Sequence, residues 1–212
     1  MWLYFFTCLI YNYAFKQPHE NKMNNLIAVD KPKDRSLFLN TQVDQDSVGK
    51  LIKEIIEINE HDQMLIELHR LNNMIYSPAA IKLYISSYGG SVYQGLGLMA
   101  AIESSVTPVH TIATGCAMSM GFAILIMGHK RFIHKHSTIM YHEASSFSYG
   151  KITEMETEML QDKKMQRKIE RIIVSKTNIT KQQLNKHNKE KHDWFLTPKK
   201  ALKLGIVDAI ID

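Results

Sequence analysis

The stretch GCAMSMGFAILIMG, residues 115–128, decides how the rest of the chain is interpreted. It carries one hydroxyl, that of Ser119, in an otherwise apolar run, with Gly115 and Gly121 on either side. The residues before it (107–115) predict a buried strand, so Ser119 falls at a strand-to-helix turn. Such a serine is either a small residue that lets a core helix begin or a nucleophile held at a helix N-terminus. Most lone serines are structural, so the other segments must decide.

Strand and helix patterns alternate on both sides of this stretch. Period-2 and short apolar runs predict strands, and apolar residues at helical spacing predict amphipathic helices. Residues 62–80 are less regular and end in a loop signal. The methionines of the predicted long helix, 151–177, are assigned to packing. The alternation indicates an α/β fold with a mainly parallel sheet. The predicted strands are 36–43, 81–86, 107–115, two short ones within 131–144, and 206–211; the predicted helices are 47–61, 92–105, 151–177, one from 180, and 197–205.

The chain has 212 residues, which suits one domain with a substantial core. Its first residues, MWLYFFTCLIYNYAF, are apolar but lack a basic start and a small-residue cleavage site. The run is also too short to span a bilayer as a helix. We expect residues 1–22 to be a disordered leader, a propeptide or a misassigned start, and residues 23–212 to form the domain.

Composition excludes several classes of protein. With 45% hydrophobic residues, 22% charged residues and a net charge of +5, the chain is typical of a soluble globular protein. No nucleic-acid motif is present, and no membrane role is indicated. The two cysteines, Cys8 and Cys116, lack metal-ligand spacing, so we expect no metal, no disulfide scaffold and a cytoplasmic location.

A second glycine turn, SYGGS at 87–91, also follows a predicted strand. Turns at the carboxyl ends of adjacent parallel strands converge on one crevice. The backbone N–H groups of Gly90 and Met120 are therefore a natural pair of donors for the oxyanion of an acyl transfer. His142 ends the apolar strand STIMYH, so it should reach the same edge and could serve Ser119 as a base. Asp193, in KHDWFL, is by itself a loop acid.

Four ordered segments together resemble the ClpP family, the proteolytic subunits of the ATP-dependent Clp serine proteases, over residues 35–212. They are LYISSYGGSVYQGLGLMAAI, GCAMSMG, KRFIHKHSTIMYH and HDWFLTPKKALKLGIVDAII. The resemblance implies a ClpP/crotonase-like α/β fold of repeated β-β-α units with a mainly parallel sheet and a protruding long helix, the handle. It matches Ser119 to the nucleophile, His142 to the general base and Asp193 to the third triad member. Gly90 and Met120 match the oxyanion hole.

The same resemblance implies a homo-oligomer of two stacked heptameric rings that cleaves unfolded polypeptides and short peptides. An AAA+ Clp-type unfoldase would feed it, and only that partner would use ATP, so the chain itself needs no cofactor. Residues 143–150 would form an edge strand that pairs with substrate backbone. The implied substrate-binding residues are Gly89, Ser91, Val92, Glu143, Ala144 and Ser145.

Some positions depart from the family pattern. Tyr88 stands where the family has proline before the glycine pair, and Glu143–Ala144 replace glutamine–proline after the base. His192 replaces an arginine. The change after the base predicts a less constrained substrate strand, Tyr88 predicts a reshaped oxyanion turn, and His192 predicts weaker or pH-dependent stacking of the rings.

Alternatives from other classes remain open. The chain could be a catalytically silent ring or scaffold subunit, or a viral-type head-maturation protease that works without an unfoldase. A crotonase-like acyl-CoA enzyme would not need Ser119 and His142 together. A serine–lysine peptidase would need a lysine that no motif supplies.

Overall fold

The computed structural model describes residues 34–145, 149–190 and 192–212, so the expectation for residues 1–22 lies outside the described residues. The strands are β1 Ser36–Leu39, β2 Ile81–Ser87, β3 Val109–Met118, β4 Lys130–His134, β5 Thr138–Tyr141, β6 Trp194–Leu196 and β7 Ala209–Ile211. The helices are α1 Gln45–Leu71, α2 Val92–Ser104, α3 Met120–Leu125, α4 Ile152–Lys176, α5 Lys181–Glu190 and α6 Pro198–Lys203.

The sheet confirms the predicted, mainly parallel α/β architecture. Strands β1, β2, β3, β4 and β7 are hydrogen-bonded in that order, and each neighbouring pair is parallel. β3 is longer than predicted because it continues to Met118. Its first half pairs with β4, while its last three residues pair with β5 in parallel. β6 is the exception, since it runs antiparallel to β5.

The core lies along β2 and β3 and under the short helix α3. On β2 the alternate residues Ile81, Leu83 and Ile85 are fully buried, as the period-2 pattern requires. All six residues of α3 are buried, and five of them belong to the apolar core cluster. The helix that follows Ser119 is therefore anchored in the core over its whole length.

Helix α1 is longer than the sequence predicted. It continues to Leu71, whereas the apolar pattern indicated a helix over 47–61 and irregular chain from 62 onward. The reason is Asp62, which takes the core-facing position between Ile58 and Leu65 and breaks the apolar period.

The buried carboxylate of Asp62 is fully partnered. Arg35 donates to both of its oxygens at 2.7 and 2.6 Å, and the Thr107 hydroxyl donates at 2.6 Å. Burial alone would raise the pKa of Asp62, but the hydrogen bonds from Arg35 and Thr107 outweigh it and lower that pKa below its ordinary value. Asp62 thus occupies a buried position of α1 as an ionised, hydrogen-bonded side chain.

The predicted long helix is confirmed as α4, but its packing differs from the prediction. Residues 152–160 are all exposed, as expected of a helix that extends beyond the core. The interpretation of its methionines as packing residues is wrong for Met155 and Met159, which are 38% and 49% exposed. Together with Ile152 and Leu160 they form an apolar stripe that we call the α4 stripe. Only the second half of the helix reaches the core, through Ile169 and Ile173.

The described residues divide into two compact units. One holds Asp34 and residues 64–76, and the other holds 35–63 and 77–212. Every predicted site residue belongs to the second unit. A single domain over 23–212 stays a prediction. Among the described residues, no helix combines the length and the apolar character needed to cross a bilayer.

We expect Asp62→Asn to destabilise the fold by about 3 kcal/mol, because the Arg35 guanidinium would lose its carboxylate partner in a buried site. The pKa of Asp62 is lower in the folded chain than in the unfolded one. Its contribution is therefore present above the ordinary aspartate pKa and lost as the pH falls through the folded value. Urea unfolding at pH 7 and pH 3 measures both effects.

The matched control is Lys53→Gln, an exposed position on the same helix, which should leave the unfolding midpoint nearly unchanged. Equal midpoints for wild type and Asp62→Asn at pH 7 would contradict the structural role of the carboxylate.

Candidate active site

Ser119 lies between the last residue of β3 and the first residue of α3 with a backbone φ of +53° and ψ of −119°. Its N–H donates to the Met140 carbonyl at 2.9 Å. A Cβ built on Gly89 would lie 2.7 Å from the Cβ of Ser119, so only glycine lets the β2–α2 turn approach this closely. The φ of Gly89, +100°, also favours glycine. The serine is therefore held in a sharp turn, against a second turn.

The strand β5 brings a histidine to that turn. β5 pairs with the end of β3 in parallel, with Met140 opposite Met118. β5 continues one residue beyond this pair, to Tyr141, so Ser119 and His142 directly follow strand ends that lie at the same edge of the sheet. His142 Nε2 lies 2.8 Å from the Ser119 Oγ, within hydrogen-bond distance. An alcohol and an imidazole in direct contact, at the carboxyl edge of a parallel sheet, can exchange a proton.

The glycine turn presents a backbone donor beside this pair. Val43 braces the turn, because its N–H donates to Gly89 and its carbonyl accepts from Ser91, both at 2.8 Å. Gly90, with φ +147°, would place a Cβ directly against the Val43 carbonyl if it were any other residue. Among the described residues no acceptor is hydrogen-bonded to the Gly90 N–H. The Met120 N–H, at the first residue of α3, has no carbonyl partner within its own helix.

The third predicted triad residue is not brought to the histidine. Asp193 is exposed, and within the described residues its carboxylate hydrogen-bonds neither His142 nor another side chain. It does stand one residue before β6, whose antiparallel register pairs Trp194 with Tyr141. Each step forward on β5 is one step back on β6, so one more rung would pair Asp193 with His142.

Ser119 and His142 open into a cleft of about 350 Å³. Three of the six predicted substrate-binding residues line it, namely Val92, Ala144 and Ser145, while Gly89, Ser91 and Glu143 do not. Residues 143–145 are exposed and carry no strand pairing, and 146–148 lie outside the described residues. The complete lining is Tyr88, Gly90, Val92, Ser119, Met120, Phe122, Tyr141, His142, Ala144, Ser145, Gln166 and Ile169.

Sequence reasoning missed two polar residues of this cleft, Tyr141 and Gln166. The Tyr141 hydroxyl donates to Asn188 Oδ1 and accepts from Gln166 Nε2, both at 3.1 Å. Burial, together with the negative charge of Glu170, raises the pKa of Tyr141 to about 12, so the hydroxyl keeps its proton at neutral pH. The only signals in the sequence were that Tyr141 precedes His142 and that Gln166 shares a helix face with Ile169.

Comparison with known proteins places this chain in a family. The model of the Clp protease family matches residues 21–212. The ATP-dependent Clp protease proteolytic subunit of Deinococcus radiodurans is 28% identical over 182 residues, which cover 85% of this chain and 81% of that protein. The proteolytic subunit 2 of Parasynechococcus marenigrum is 29% identical, over 85% and 84% of the two chains. The subunit of Porphyromonas gingivalis is 27% identical, over 84% and 74%. The resemblance in the four sequence segments is thereby confirmed, and the chain belongs to the Clp protease family.

Proposed function

We propose that this chain is a serine endopeptidase, the proteolytic subunit of a Clp-type protease, with Ser119 as nucleophile and His142 as general base. The observation that carries the proposal is the 2.8 Å contact between His142 Nε2 and Ser119 Oγ, at the mouth of a cleft. The names of the relatives, which describe them as Clp protease proteolytic subunits, support the same chemistry. No observation favours the silent scaffold or the head-maturation alternative.

In the proposed reaction the Ser119 oxygen attacks the carbonyl carbon of the scissile peptide bond while His142 Nε2 takes the hydroxyl proton. His142 then gives that proton to the leaving amine, and the acyl group stays on Ser119 as an ester. A water molecule attacks the ester and passes a proton to His142. The imidazole returns it to the Ser119 oxygen as the carboxyl product leaves.

We assign stabilisation of the tetrahedral intermediate to the N–H groups of Gly90 and Met120. Both residues line the cleft with Ser119, and both N–H groups are available for an external acceptor. The turn that carries Gly90 is fixed by Val43 and cannot be rebuilt with a side chain, so this donor is preorganised. Preorganised donors at a developing oxyanion contribute on the order of 10²- to 10³-fold in turnover.

We assign the orienting carboxylate to Asp193. The β5–β6 register supports this, since His142 and Asp193 are the next pair along the ladder. The neighbouring Trp194 is anchored by a stacked contact with His187, with ring centroids 4.0 Å apart. Extending the ladder by one rung would bring the carboxylate to the imidazole Nδ1 side, where it would fix the tautomer and stabilise the imidazolium.

We further propose assembly into two stacked heptameric rings, fed by an AAA+ Clp-type unfoldase. The relatives are named as subunits of ATP-dependent proteases, which supports a division in which the partner uses ATP and this chain cuts peptide bonds. The α4 stripe supports assembly, because it exposes an apolar face on a helix that extends beyond the core. A particle of fourteen times the mass of one chain is the expected result of sedimentation.

The Ser119→Ala variant should lose hydrolysis of a short fluorogenic peptide by at least about 10³-fold, because among the described residues Ser119 carries the one hydroxyl that is hydrogen-bonded to the His142 imidazole. Labelling of the intact protein by a fluorophosphonate probe should disappear in the same variant. Ser104→Ala, an exposed serine of α2, is the matched control and should keep both activities. Peptide hydrolysis or labelling that survives in Ser119→Ala would contradict the assignment of the nucleophile.

Replacing Asp193 by asparagine should lower kcat by about 10⁴-fold, because the imidazole would lose its orienting charge. Particle mass should stay the same, which separates catalysis from assembly. Glu190→Gln removes an exposed carboxylate three residues away and serves as the control. If both variants hydrolyse the peptide equally well, Asp193 is not the third member of the triad.

A further inference from the structure

Gln166 joins the handle helix to the segment that follows the catalytic histidine. It lies in the second half of α4 and lines the cleft. Its side-chain carbonyl accepts the backbone N–H of Ala144 at 2.9 Å. Its side-chain NH₂ donates to the Tyr141 hydroxyl at 3.1 Å and to Glu170 Oε1 at 2.9 Å. One carboxamide thus contacts chain on both sides of His142.

The orientation of this carboxamide is fixed by its partners. The Ala144 N–H can only donate, so it must face the oxygen of Gln166. The Glu170 carboxylate can only accept, so it must face the nitrogen. Asn188 holds Glu170 in turn, because its Nδ2 donates to Glu170 Oε1 at 2.8 Å. The Oδ1 of Asn188 accepts the hydrogen bond of the Tyr141 hydroxyl. Flipping the Gln166 amide would break three hydrogen bonds at once.

Residues 143–145 need a contact from outside the segment to hold their backbone in place, and Ala144 provides the point of contact. Alanine does not fix φ as a proline would, and Ala144 is exposed and unpaired by any strand. Its N–H bond to Gln166 is the restraint that the structure describes on residues 143–145. These residues also line the cleft beside Ser119, through Ala144 and Ser145.

We propose that Gln166 is a positioning residue for peptide substrates, which holds residues 143–145 alongside the cleft through the Ala144 N–H. This rests on the proposed peptidase function. In the proposed peptidase a peptide lies along this segment, which lines the cleft beside Ser119, so a loose segment weakens peptide binding. A small activated ester needs only Ser119, His142 and the oxyanion donors, and does not use the segment.

The test compares wild type with Gln166→Met, which keeps the side-chain length but removes every hydrogen bond. For a fluorogenic peptide we expect kcat/KM to fall about three- to tenfold, mostly through KM, as the loss of one such bond predicts. Hydrolysis of p-nitrophenyl acetate should stay the same. Amide hydrogen exchange should accelerate at residues 143–145. Gln161→Met, on the same helix with its hydrogen bond to Tyr93, is the control and should change none of these.

A double-mutant cycle with Ala144→Pro isolates the contact. Proline removes the N–H and restrains the segment covalently, so Gln166→Met should cost much less in that background. Unchanged exchange at 143–145, equal losses on ester and peptide, or full additivity in the cycle would overturn the proposal. Wild-type protein that hydrolyses neither substrate would overturn the proposed function instead, while the exchange measurement would still decide whether Gln166 restrains the segment.

Discussion

The site depends on the unequal lengths of neighbouring strands. β3 extends beyond β4, and its last three residues are free to pair with β5. Because the pairing is parallel, the chain leaves both strands at the same edge of the sheet, with β5 one residue longer than β3. That single constraint places the side chain after β3 against the side chain after β5, which gives the contact between Ser119 and His142. A shorter β3, or a β5 paired one residue out of register, would separate them.

Around this contact the remaining groups are positioned by two kinds of support. The glycine turn is held by backbone hydrogen bonds to Val43 and has no room for side chains. The opposite wall is held by side chains, namely the hydrogen-bonded group of Tyr141, Gln166, Glu170 and Asn188. The glycine-turn side of the cleft is therefore fixed by backbone contacts, whereas the side that carries Gln166 depends on residues from three different elements.

Much of this could be predicted from sequence because local patterns carried it. Glycine turns after apolar strands located the edge, and the apolar strand STIMYH located His142. The predictions failed for features that only contacts between distant parts of the chain decide. The first helix was predicted to end at residue 61, because the partners that bury the Asp62 carboxylate, Arg35 and Thr107, are distant in sequence and no local pattern shows them. Gln166 and Gln161 are indistinguishable as glutamines of one helix, and only the fold makes one of them contact Ala144. The state of Asp193 depends on how far a two-stranded ladder extends, which no local pattern encodes.

The positive φ of Ser119 carries an energetic cost to the fold. A residue with a β-carbon in that region of conformational space is disfavoured by about 1–2 kcal/mol relative to glycine. A glycine at position 119 would relax the backbone and remove the hydroxyl in the same step. Under the proposed function, selection for thermal robustness and selection for turnover therefore act in opposite directions on this one residue.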